Sequence, residues 1–115
     1  MKNYSLSKHI DKKDVRQAEW KKQRKERGFD NTELWNLDAT IANFIIPRLK
    51  AFKETKGCHP GNFKNEKAWD KCIDEMIFAF EFASNEGFGV DYASNKKRAD
   101  KGLKLFAKYY FHLWD

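Results

Sequence analysis

Between residues 66 and 84 the chain reads EKAWDKCIDEMIFAFEFAS, and Trp69, Cys72, Ile73, Met76, Ile77, Phe80 and Ala83 recur at steps of three and four. That spacing puts them on one face of a helix and is the strongest amphipathic signal in the sequence. A second stripe, Leu34, Leu37, Ile41, Phe44 and Ile45, follows Asp30 and Glu33, whose spacing reads as a capping box, with Gly28 breaking the segment before it. Pro47 lies inside this pattern and removes a backbone donor, so a kink or restart is predicted there before the helix stops at Gly57. A third stripe, Ala99, Leu103, Phe106, Tyr110 and Leu113, has Ser94 as its candidate N-cap. The Gly- and Pro-bearing stretches GCHPGNF and NEGFGVDYA separate the three as loops.

Nothing in these periods calls for a strand. The predicted fold is all-α, a small helical bundle of three core amphipathic helices preceded by a basic N-terminal helix or arm. The arm takes residues 1–28 and the bundle residues 29–115. The helix over 66–84 is expected at the centre, because Phe78 and Phe82 give it a second apolar face. Residues 11–27 are good helix formers, yet Val15, Ala18 and Trp20 point in different directions, so the arm has no face to bury and Trp20 is its only large anchor.

Composition alters this picture mainly through charge. The 115 residues suit one domain, and 16% aromatic with 35% charged residues implies a rich core under a charged surface. Mean hydropathy is −0.87. Residues 1–27 hold ten basic and four acidic residues, a net of +6, while the remainder carries 13 of each sign. Lys21, Lys22, Arg24, Lys25 and Arg27 are therefore candidates for an anion-binding arm, with Trp20 available to stack on a base. No apolar run is long enough to span a bilayer and the start lacks a signal peptide's apolar core, so a soluble, cytoplasmic chain without a membrane partner is expected. Cys58 and Cys72 are expected as reduced thiols.

Candidate chemistry centres on acids beside the main stripe. At about 100° per residue from Trp69, Asp70, Glu81 and Asp74 fall near 100°, 120° and 140°, one ridge, whereas Glu75 falls near 240° and reads as solvated charge. Like charges this close repel unless they face water or a cation. Arg48 and Asp38 lie near the second stripe, so the ridge is expected to fix how the helices dock by pairing either with Arg48, in a network of Arg48 with Asp38, Asp70, Asp74 or Glu81, or with the basic arm packed across it. His59, beside Pro60, is a candidate ligand contact. No Glu-x-x-His, Walker or dinucleotide motif is present, and neither catalytic residues, a metal nor a cofactor is expected. Phe78 and Phe82, with Tyr109, Phe111 and His112 turned away from the third stripe, suggest a protein-binding or homo-oligomer face.

The pieces LWNLDATIANFIIPRLKAFKE, HPG, WDKCIDEMIFAFEF and KGLKLFAKYYFHLW resemble a set of small bacteriophage-encoded proteins. These share a W-x-L-D-x-T-I-A-x-F-I-x-P-R-L-K block followed by W-D-x-x-x-D-x-M-I-x-A-F-E. The matching positions are Asp38, Pro47, Arg48, Trp69, Asp70, Asp74 and Glu81, and the likeness covers about residues 33–114. It implies the cytoplasm of an infected bacterium and brings no assigned activity. The resulting expectation is a non-enzymatic accessory protein that modulates a host or anti-phage defence component by protein contact. The alternatives are a sponge for an anionic nucleotide or cyclic-oligonucleotide signal, and sequence-independent nucleic-acid binding through the arm.

Overall fold

Helix formation follows the apolar stripe closely in the middle of the chain and departs from it on either side. The computed structural model describes residues 4–7, 13–84 and 91–114. The arm residues 1–3 and 8–12, which include His9, and most of the predicted second loop, 85–90, lie outside the described residues. Among the described residues all regular structure is helical: α1 (Gln17–Arg27), α2 (Thr32–Trp35), α3 (Leu37–Thr55), α4 (Glu66–Ser84) and α5 (Tyr92–Tyr109), then a 3-10 turn over Tyr110–His112.

α4 spans the predicted interval and packs against both α3 and α5. Its stripe forms the core, with Trp69, Cys72, Ile73, Met76, Ile77 and Phe80 buried against Ala42 and Leu49 of α3 and Tyr109 of α5. Phe63, from the loop before α4, closes one end: its ring centroid lies 5.0 Å from Trp69 and 4.9 Å from Tyr109. Asn62 donates to the Tyr109 hydroxyl (3.1 Å), satisfying the phenol where the ring is buried. Tyr109 is thus a core residue, not part of an outward aromatic face.

α5 keeps part of its predicted face inward, with Ala99 buried and Phe106 and Leu113 packed on the core, but turns the rest of it outward. Ala99, Gly102 and Tyr109 are buried, while Leu103 and Tyr110 are exposed. The cause is a close helix crossing: Ala79, Ala99 and Gly102 are small, and Gly102 lies directly against the Glu75 backbone. Small side chains at the crossing let the helices approach, and that approach selects which side of α5 turns inward.

The second predicted helix is two. The chain breaks at Asn36 (φ −130°, ψ 75°), separating α2 from α3, and the Thr40 hydroxyl donates to the Glu33 carbonyl (2.6 Å) across the break. α3 then runs through Pro47 without interruption. The Arg48 guanidinium donates to the Phe44 carbonyl (2.8 Å), next to the carbonyl that Pro47 leaves without its helical donor.

The predicted stripe on this segment is also largely on the wrong side. α3 faces α4 with Ala42, Ile45, Ile46, Leu49 and Phe52, whereas Leu37, Ile41 and Phe44 remain 51%, 50% and 45% exposed. α3 is apolar nearly all round, so periodicity alone offers two faces. A thickness of 19 Å, against lengths of 53 and 36 Å, corresponds to about two helix diameters. The radius of gyration is 16.7 Å where a ball of this length has about 13 Å. In a molecule this flat, no further helix among the described residues covers the second face of α3.

Candidate functional site

The acidic ridge of α4 is matched by a lysine ladder on α3. Lys50, Lys53 and Lys56 recur every three residues, and they meet Glu81 (3.5 Å), Asp74 (2.8 Å) and Asp70 respectively. Lys56 also holds Glu66 (2.7 Å) and donates to the Lys53 carbonyl (3.2 Å). Its side chain is only 3% exposed. Burial alone would lower the pKa of this ammonium, but hydrogen bonds to Asp70 and Glu66 outweigh it, and the pKa is raised. Lys56, buried with its charge held by Asp70 and Glu66, fixes the register of α3 on α4, while the more exposed Lys50 and Lys53 pairs add charge complementarity worth little each.

The expected Arg48 network is absent. Arg48 is exposed and lies 4.0 Å over the Phe44 ring, and Asp38 is exposed with its carboxylate accepting from the Ala39 N–H (2.8 Å). Arg48→Met is accordingly expected to leave stability within about 0.5 kcal/mol of the parent in urea denaturation, as for other surface changes. A loss of several kcal/mol would restore the buried pair. Glu75 is not solvated charge either: Arg98 donates to both of its oxygens (2.9 and 2.7 Å), and this lowers the carboxylate's pKa. The Arg98 guanidinium also lies 3.8 Å over the Phe78 ring.

Asp74, Phe78, Glu81, Lys50, Lys53 and Arg98 border one open groove of about 590 Å³ between α3, α4 and α5. It brings together three of the residues singled out in sequence, but its cations are already engaged by carboxylates. An anionic nucleotide would have to displace those pairs, and the Phe78 face is covered by Arg98. Phe82 is buried against Tyr92, with centroids 5.5 Å apart. His59 donates from Nδ1 to the Pro60 carbonyl (3.0 Å), within its own loop.

The arm is held by Trp20 as expected, and by more than that one anchor. Trp20 is 5% exposed and meets Trp35 edge to face (5.8 Å), with Arg16 4.9 Å above its ring. Gly28, at φ 87°, ends α1 in a left-handed turn that folds the chain back. The turn brings Arg24 onto Asp30 at 2.5 Å, with side chains 10% and 1% exposed. Asp30 accepts from the Thr32 N–H (2.9 Å) while its own N–H donates to Glu33 (2.8 Å), the reciprocal bonding of a capping box. Glu33 also accepts from the Leu6 N–H (3.2 Å), and Asn43 donates to the Leu6 carbonyl (2.7 Å), which ties residues 4–7 to α3. Of the five candidate arm cations, Arg24 is therefore committed to Asp30 and Arg27 donates to Phe29 and Asn31. Lys21, Lys22 and Lys25 are exposed.

Beside this network runs an apolar strip that the sequence stripe marked as core. Leu34, Leu37, Ile41 and Phe44 are about half exposed, and Leu6 and Phe29 flank Leu34, Leu37 and Phe44 in a shallow groove of about 440 Å³. Cys72 is a packing residue: burial pushes its thiol up to about 11, so it stays protonated at neutral pH. Among the described residues no group of three or more His, Cys, Asp or Glu is placed to hold a metal, and no helix is long and apolar enough to cross a membrane.

These features define an all-helical protein whose acidic ridge is a docking device and whose uncommitted surfaces are an apolar strip and exposed lysines. Comparison with protein-family models, curated proteins and solved structures gives no match. The surfaces themselves carry the functional argument.

Proposed function

We propose that this is a non-enzymatic binding protein that covers a helix of a partner protein with the strip Leu34, Leu37, Ile41 and Phe44. The likeness to small phage-encoded blocks makes that partner a host or anti-phage defence component. The observation that carries the proposal is the exposure of Leu37, Ile41 and Phe44 at steps of four and three on α3, with the exposed Leu34 of α2 in the same groove as Leu37 and Phe44. This is the spacing by which one helix receives the apolar edge of another. Position 48 continues the series, and Arg48 has no carboxylate partner among the described residues. The fitting helix therefore presents an acid there, which supplies charge complementarity at the end of an apolar seam.

Leu37→Glu/Ile41→Glu tests this at positions already half in water. A photo-crosslinker at position 41 of the parent, used in infected cells, is expected to link one partner, whose contact peptide is an acid-bearing amphipathic helix. The double variant is expected to lose that partner while retaining the parent's circular dichroism. Crosslinking only to a second copy of the chain, or retention of the partner by the double variant, would overturn the proposal.

A further inference from the structure

The body of the protein is neutral by composition, but folding does not leave it neutral everywhere. α5 carries six basic residues, Lys96, Lys97, Arg98, Lys101, Lys104 and Lys108, against the single acid Asp100, a net of +5. Lys96 holds Asp100 (2.8 Å) and Arg98 holds Glu75 (2.7 Å), which commits two of the six cations. Lys97, Lys101, Lys104 and Lys108 are left: all four are exposed, and none is in an ion pair among the described residues. Their steps of four, three and four confine them to about 60° of the helix circumference, opposite Gly102 and Phe106. They form a line about 17 Å long at the α-helical rise.

Exposed aromatic residues follow this line along the chain. Phe111 is 83% and Trp114 68% exposed, just beyond the C-terminal end of α5. We infer that the outer face of α5 binds the phosphate backbone of a single-stranded nucleic acid, with Phe111 and Trp114 stacking on its bases. Evenly spaced ammonium groups on flexible stems suit a regular polyanion without reading its sequence. Exposed aromatic faces suit a single strand, since the bases of a duplex are already stacked. The arm lacks this second element: Trp20 is buried, and Arg24 and Arg27 are engaged in its own turn. The inference is independent of the α3 strip, which uses other residues on another helix.

The test uses the full chain, fluorescence anisotropy and a labelled oligo-thymidylate of about 15 nucleotides. Four contacted phosphates predict a slope of about −2.8 in log affinity against log salt concentration. Changing Lys97, Lys101, Lys104 and Lys108 together to Gln is expected to weaken binding at least tenfold at about 50 mM salt and to flatten the slope. The same four changed to Arg are expected to keep both, which separates lost charge from lost fold. Trp114→Ala is expected to weaken binding fivefold or more with the slope unchanged. The inference is overturned if the parent does not bind the oligonucleotide at about 50 mM salt, or if Lys21, Lys22 and Lys25 changed to Gln remove the slope in place of the α5 set. Equal affinity for poly-glutamate would overturn it too, by pointing to an acidic protein.

Discussion

Gly102→Ala is expected to destabilise the protein by about 3 kcal/mol or more, a large effect for a single added methyl group. A Cβ at this position falls on the Glu75 carbonyl oxygen and comes within 2.9 Å of the Ala79 methyl. The carbonyl belongs to the α4 backbone and cannot rotate aside, so α4 and α5 must separate. Separation opens the contacts of Ala99 and Phe82 and loosens the end of the core that holds Tyr109. Gly61→Ala is the control, because a Cβ there meets nothing within 4 Å and is expected to change little. Urea denaturation followed by circular dichroism reads both. A Gly102→Ala midpoint close to the parent's would mean that α4 and α5 do not cross this closely.

Arg24→Met is expected to lower stability by about 3 kcal/mol, by leaving the Asp30 carboxylate buried without its cation. The reverse change, Asp30→Ala, strands the guanidinium and also removes the acceptor of the Thr32 N–H, so an equal or larger loss is expected. The pair carries a pH signature. Burial pushes the Asp30 pKa up, but hydrogen bonds from Thr32, Arg24 and Ser5, with the Arg24 charge, outweigh it and set the pKa below the ordinary value. A carboxylate depressed in the folded state contributes stability above its unfolded pKa of about 3.9 and loses it as pH falls through the lowered value. Between pH 5 and pH 2, taken as about those limits, the parent should lose more stability than Arg24→Met. Parallel acid limbs for the two proteins would show that the pair does not set this dependence.

How far the sequence could be read varies with how many faces each helix offered. α4 has one dominant apolar face and a separate acidic ridge, and both its limits and its central place were legible from spacing. α3 has apolar residues on nearly every side, so the count of hydrophobic matches favoured Leu37, Ile41 and Phe44, which the structure leaves half exposed. The deciding signal was present in the lysines: Lys50, Lys53 and Lys56 share the face that Asp70, Asp74 and Glu81 require. Matching a cation ladder to an acid ladder would have oriented the helix where hydrophobicity could not. On α5 the stripe places Ala99, Phe106 and Leu113 correctly but not Leu103 and Tyr110, since Gly102 counts as polar punctuation in a pattern but acts as a contact in the packed pair.

The site residues divide along the same line. The ridge was legible as one line of carboxylates, but its partner was not, because Arg48 lies one helical face away from the lysines that reach it. The capping box of Asp30 and Glu33 was visible in sequence as local bonding. Its burial by Arg24 and the Leu6 backbone depends on the turn at Gly28 and on a contact 27 residues apart, which no local pattern contains. The stripe Lys97, Lys101, Lys104 and Lys108 was present in the sequence as spacing, yet net charge hid it, because the same number of acids lies elsewhere in the body.

By itself, the sequence determined the helical class, the span and amphipathic face of α4, the acidic ridge and the local caps, all of which follow from interactions within a few residues along the chain. Tertiary structure alone decided which side of α3 is core, which cations neutralise the ridge, how the arm is anchored, and which charges stay unmatched. Those outcomes rest on pairing between helices, where burial and ion pairing are settled together and only one of several locally acceptable faces satisfies both.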